Sequence, residues 1–147
     1  MYAKFWNDQS LIKSLYSECM EPVCKIHQLT RMELDILMFL ANNPQFTTAT
    51  DIVENRQLTK SHVSLAVNTL TRKGYLSRSF SKKNRKTIHL TVCESALGII
   101  EDGRTAQQKF GSILLRDFSQ EDKETLSRLL SRLEQNIKQH YLEESLC

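Results

Sequence analysis

The 147-residue chain lacks the short motifs that hold a phosphate or build a hydrolytic centre. It has no glycine-rich phosphate loop, no nucleophile elbow and no H-E-x-x-H. Its carboxylates are spread over helix surfaces, and its four histidines stand singly. An enzyme is therefore the least supported class, and no cofactor is expected. No apolar run reaches the roughly 18 residues of a membrane span, nor does the first stretch, MYAKFWNDQSLIK, contain one of signal length. The expectation is a cytoplasmic protein with no membrane partner, in which four cysteines do not imply disulfides. The most informative absence is local: Leu58 to Thr91 contains no Asp or Glu at all.

That same stretch holds eight basic residues, Lys60, Arg72, Lys73, Arg78, Lys82, Lys83, Arg85 and Lys86. The whole chain nets +3, so a segment of +8 leaves −5 for everything else. Segregation of this kind is useful to a protein whose partner is a polyanion.

Two periods meet inside it. From Thr59 to Lys73 the apolar residues Val63, Ala66, Val67 and Leu70 recur at i, i+3, i+4 and i+7, the pattern of a helix with one buried stripe. The other face shows Lys60, Ser61, His62, Ser64, Leu65, Asn68, Thr69 and Arg72. Thr59 suits the N-cap, and Gly74 the left-handed residue after the C-terminus. Beyond Gly74 the period becomes two. Leu76 and Phe80 alternate with serines, Ile88 and Leu90 with Thr87, His89 and Thr91, so a β-hairpin with the tip Lys82-Lys83-Asn84-Arg85-Lys86 is predicted.

A helix with short polar side chains followed by a cationic hairpin suits duplex DNA. The major groove admits such a helix, where Ser61, His62, Ser64 and Asn68 can exchange hydrogen bonds with base edges and Leu65 can meet a thymine methyl. Lys60, Arg72, Lys73, Arg78 and the tip residues Lys82, Lys83, Asn84, Arg85 and Lys86 are candidates for phosphate or minor-groove contact.

These residues resemble the winged helix-turn-helix of MarR-type bacterial transcriptional regulators. The resemblance is carried by Leu58-Thr59-x-Ser61-x-Val63-Ser64, then Leu70, Arg72-Lys73-Gly74-Tyr75-Leu76, Arg78, a wing, and the closing Leu90-Thr91. It extends upstream to Leu29-Thr30, Asn42-Asn43-Pro44 and Thr47-Thr48. The wing departs from the family's Asp-x-Arg turn, and Leu65 and Glu94 stand where relatives often have a basic residue and glycine. What the resemblance implies is a mainly α fold with a small sheet, a homodimer on a pseudo-palindromic site, and repression relieved by a small lipophilic or phenolic effector.

The remaining elements follow in order. Residues 10–28 read as a helix with Leu11, Leu15 and Met20 on one side and Ile26 further along, kinked or restarted at Pro22. Thr30-x-x-Glu33 is a capping box for a helix striped by Leu34, Leu37, Met38 and Ala41 and stopped at Asn42-Asn43-Pro44. Thr48-x-x-Asp51 opens a short supporting helix placed to touch phosphate, with Thr48 at its start. Thr91-x-x-Glu94 reads as a further capping box for a long helix through Leu114, which contains Gly98, Gly103 and Gly111. A last helix follows Ser119 with Leu126, Leu129, Leu130, Leu133, Ile137 and Tyr141 at spacings of three and four. That stripe is too apolar for water on a small chain, so self-association through Leu11, Leu15 and these residues is expected. The resulting division is a DNA-binding domain over 29–91 and a helical dimerisation region over 1–28 and 92–147.

One cluster competes for attention. Cys19, Cys24 and His27 have ligand chemistry suited to zinc or a redox switch, but their spacing matches no zinc pattern, and cysteine is often a small buried hydrophobe. No metal is assigned. A metal- or redox-responsive regulator, or a winged-helix module that binds protein, are the alternatives; the second is opposed by the concentrated basic face.

Overall fold

The computed structural model describes residues 1–147. In chain order it contains α1 (Tyr2–His27), α2 (Arg31–Asn42), α3 (Ala49–Arg56), α4 (Lys60–Arg72), β1 (Leu76–Phe80), β2 (Ile88–Val92), a 3₁₀ turn (Glu94–Ala96), α5 (Leu97–Leu114) and α6 (Gln120–Ser145). Two compact units result, Met1–Phe110 and Gly111–Cys147.

In the first unit, α2 is the hub. Leu34, Ile36, Leu37, Met38 and Leu40 are all buried, so the helix is covered on nearly every side rather than along one stripe. Its start is fixed by the predicted capping box: Glu33 N–H donates to Thr30 Oγ1 at 3.2 Å, and Thr30 N–H donates to Glu33 Oε1 at 3.3 Å. Thr48 and Asp51 form the same reciprocal pair at the start of α3. Around this hub gather Ile52 of α3, Val63, Ala66, Val67 and Leu70 of α4, Leu76 and Leu90 of the hairpin, and Ile99 and Ile100 of α5.

Helix α1 differs from expectation. It begins at Tyr2 rather than residue 10 and runs as one helix through Pro22 instead of restarting there. Its buried residues are Cys19, Met20, Val23 and Cys24, whereas Leu11 and Ile26 are exposed. Met20, Val23 and Cys24 belong to the same core as the winged elements, so the second half of α1 is packed with residues 29–91.

The two strands pair antiparallel in the register Leu76↔Val92, Arg78↔Leu90, Phe80↔Ile88. Thr91 is therefore a strand residue opposite Ser77 and caps nothing. The turn into α5 is instead capped by Cys93, without a side-chain bond, and held by Cys93 N–H on the Tyr75 carbonyl at 2.9 Å. Gly103 of α5 faces Met38 so closely that a Cβ there would lie 2.4 Å from the Met38 sulfur, the close approach that justifies glycine inside a helix. Gly98 and Gly111 have open space.

In the second unit, α6 starts at a capping box between Ser119 and Asp122 and buries no residue. Leu129, Leu130, Leu133, Ile137 and Tyr141 are exposed along it, and Leu126 is half-buried.

Candidate nucleic-acid interface

Helix α4 forms because Thr59 Oγ1 accepts the His62 N–H at 3.3 Å and because one stripe, Val63, Ala66, Val67 and Leu70, is buried against α2 and α3. All four residues expected in the core are there. Ser61, His62, Ser64, Leu65 and Asn68 are exposed on the opposite side, Leu65 to 67%. Gly74 adopts φ +84°, the left-handed conformation that lets the chain leave α4 and enter β1 at once. Ser95 Oγ donates to the Gly74 carbonyl at 2.6 Å and fixes this corner.

The hairpin is anchored at its root. Leu90 N–H donates to the Thr47 carbonyl at 2.7 Å, and Thr47 Oγ1 lies 2.7 Å from His89 Nδ1. His89 is thus a hydrogen-bonding residue of the scaffold. Asp51 stands beside this joint, accepting the N–H groups of Thr47 and Thr48 at 3.0 Å each. Partial burial pushes its carboxyl upward, but these backbone bonds, the Thr48 hydroxyl and nearby His89 outweigh that and hold it below the ordinary aspartate value. At the tip, Asn84 builds a turn of its own: its carbonyl accepts the Thr87 N–H at 3.2 Å, its Oδ1 the Lys86 N–H at 3.0 Å, and its Nδ2 donates to Thr87 Oγ1 at 2.9 Å. Lys82, Lys83, Arg85 and Lys86 are all exposed around that turn.

The other four cations are placed differently. Lys60 and Arg72 lie exposed at the two ends of α4, with an Arg72 Nη donating to Thr69 Oγ1 at 3.4 Å. Arg78 reaches from β1 to the side-chain oxygen of Asn68, which joins the wing to α4. Lys73 departs from the group: its ammonium donates to the Gln28 carbonyl at 2.9 Å and sits 3.8 Å from Glu33 Oε2. Thr48 is half-buried, with its hydroxyl accepting the Asp51 N–H.

The structure does not bring Cys19, Cys24 and His27 into a metal site. Both thiols are buried; burial, then the Glu21 charge, pushes Cys24 up from its ordinary pKa, which disfavours the reactive thiolate. His27 is engaged elsewhere, with Nε2 2.7 Å from Asp102 Oδ2. No group of three or more His, Cys, Asp and Glu side chains is placed to hold a metal ion.

Sequence reasoning missed two features. Phe80 and Ile88, read only as alternating strand residues, form an apolar pair that is 63% and 42% exposed. The Arg78–Asn68 link joins residues ten apart and could have been suspected only from the way a hairpin folds back beside the helix before it.

A helix on a three-helix support with a basic two-stranded ribbon beside it is a winged helix-turn-helix. Residues 27–86, from the end of α1 to the wing tip, match the model of the MarR family. The chain is 27% identical over 88 residues to the HTH-type transcriptional regulator YwhA of Bacillus subtilis, a match that spans 60% of this chain and 63% of that relative. Among solved structures it resembles a MarR family transcriptional regulator from Listeria monocytogenes complexed with 26mer DNA, at 17% identity and TM-score 0.81, covering 94% of this chain and 91% of the other. It also resembles the MepR–DNA complex of S. aureus at 17% identity and TM-score 0.75, covering 93% and 96%. At these identities the structural likenesses establish the fold.

Proposed function

We propose that the chain is a transcription regulator that binds duplex DNA sequence-specifically as a homodimer, acting as a repressor released by a small lipophilic or phenolic effector. The observation that carries this reading is the exposed face of α4, short and polar, flanked by a wing with exposed cations and no acid anywhere in Leu58–Thr91. The DNA complexes of the two similar folds support it.

In this reading Ser61, His62, Ser64, Leu65 and Asn68 address base edges, while Lys60, Arg72, Lys82, Lys83, Arg85 and Lys86 hold phosphates or the minor groove and Thr48 meets the backbone. Asn84 shapes the wing that presents those cations, and Lys73 supports α4 from behind. The exposed stripe of α6, together with Leu11 and Leu15 of α1, supplies apolar surface for a second copy. A concavity of about 570 Å³ in the first unit, bordered by Ile12, Tyr16, Arg31, Arg56 and Phe110, is where we place the effector. Its aromatic rings and two guanidinium groups suit a phenol or its anion.

The test is titration of the purified protein against the duplex upstream of its own gene, beside a scrambled duplex of equal length, across a range of salt. A preference of at least ~10³ with log K falling steeply against log salt is the expected result. Equal, weak binding to the upstream and scrambled duplexes and to pooled genomic fragments would overturn the reading.

A further inference from the structure

The wing is longer than the core beneath it. Leu76, Arg78 and Phe80 lie on one face of the ribbon, opposite Val92, Leu90 and Ile88. Leu76 and Leu90 are buried at the root, but the next cross-strand pair, Phe80 with Ile88, projects past the last residue able to cover it. This face is also the one that looks toward α4, because Arg78, between Leu76 and Phe80, reaches Asn68. Phe80 borders an open concavity of about 600 Å³ with Ser81, Lys82 and Arg85.

The Phe80 ring, 63% exposed, gains little from burial, and it shares its concavity with Lys82 and Arg85 while Arg78 lies on the same ribbon face. An ordinary apolar protein surface would have to leave those cations unpaired. A surface that alternates anions with apolar patches would satisfy both, and that is the edge of a DNA groove, where phosphates alternate with deoxyribose rings. Apolar side chains set against base steps are an established way of gripping the minor groove.

We propose that Phe80, backed by Ile88, is an apolar DNA contact at the minor groove, with its ring against sugar and base edge while Lys82 and Arg85 take phosphates on either side. The proposal rests on the DNA-binding reading and adds a residue that carries no charge, which makes it separable. In the salt titration, Phe80→Ala should weaken binding to the upstream duplex at least 5-fold while leaving the slope of log K against log salt unchanged, because no counterion-releasing group is lost. Arg85→Ala should lower that slope by about one. Phe80→Leu should recover most of the affinity. In a Trp6→Phe background, the indole of Phe80→Trp should be quenched on adding the duplex, which reports stacking or contact with bases.

Wild-type affinity in Phe80→Ala, or an unquenched indole in a variant that still binds, would overturn the proposal. So would a change in sedimentation on Phe80→Ala, which would assign the ring to contact between protein copies. Failure of the unmodified protein to prefer the upstream duplex is a different result and removes the regulator reading itself. The melting temperature of Phe80→Ala should fall by no more than the loss of one cross-strand pair accounts for, since the ring is 63% exposed.

Discussion

Arg78 holds the side-chain oxygen of Asn68, and under the proposed reading this orients what Asn68 offers a base. In the DNA-binding reading this bond takes one lone pair of the amide oxygen and fixes the plane of the amide, which biases Asn68 toward donating its N–H groups to acceptors such as guanine N7 and O6 or thymine O4. Arg78→Ala should therefore alter base preference at one operator position, by roughly 5- to 10-fold given the usual strength of such contacts. Lys83→Ala should weaken all duplexes alike. Competition between operators changed one base pair at a time distinguishes the two. Asp51 gives a prediction in pH. Its carboxyl is held below the ordinary aspartate value of about 3.9. Its contribution is thus complete above that value and disappears as pH falls through the lower, folded-state value. Asp51→Asn should melt below the parent at neutral pH, and the gap should close as pH falls through that lowered folded-state value. Of these residues, the stripe Val63, Ala66, Val67 and Leu70 was legible because helical period is local. The partners of Asn68 and Lys73 were not, because they are set by tertiary neighbours that no spacing reveals.

Among the elements, α5 carries the sharpest contrast. Gly103 lies against Met38, which is 2% exposed and has little room to move. Gly103→Ala should destabilise by about 1–2 kcal/mol, the overpacking cost less the gain in helix propensity. Gly98→Ala, with open space, should be neutral or stabilising by up to about 1 kcal/mol. Denaturant melts of the two variants side by side check this. The capping boxes at Thr30 and Thr48 were legible because each closes within four residues. Thr91-x-x-Glu94 has the same spelling but fails, since pairing of Thr91 with Ser77 claims the residue for the sheet. Helix α1 likewise tolerates Pro22 because the residues on either side of it, Cys19, Met20, Val23 and Cys24, are held in the core. The hairpin was read correctly in place, but its register and how far the core beneath it extends are not written in an alternating pattern.

For the molecule as a whole, the apolar stripe of α6 governs behaviour. A 26-residue helix with no buried residue, exposing Leu129, Leu130, Leu133, Ile137 and Tyr141, needs a covering surface. Under the homodimer reading, Leu130→Glu combined with Leu133→Glu should give a monomer by analytical ultracentrifugation and weaken binding to a two-half-site duplex by at least 10-fold, while a single half-site is bound as before. An unchanged sedimentation coefficient would remove α6 from the interface. The sequence showed the stripe, but a stripe alone says only that something covers it.

Lys73, expected at the DNA, has a different consequence. Its ammonium ties the last turn of α4 to the Gln28 carbonyl at the corner between α1 and α2, with the buried Glu33 carboxylate beside it. The recognition helix is thereby tethered to the helix that precedes the winged elements, like a blade fixed to its handle. Under the regulator reading, a signal that moved this corner would reach α4 through that one contact, with no need to unfold either helix.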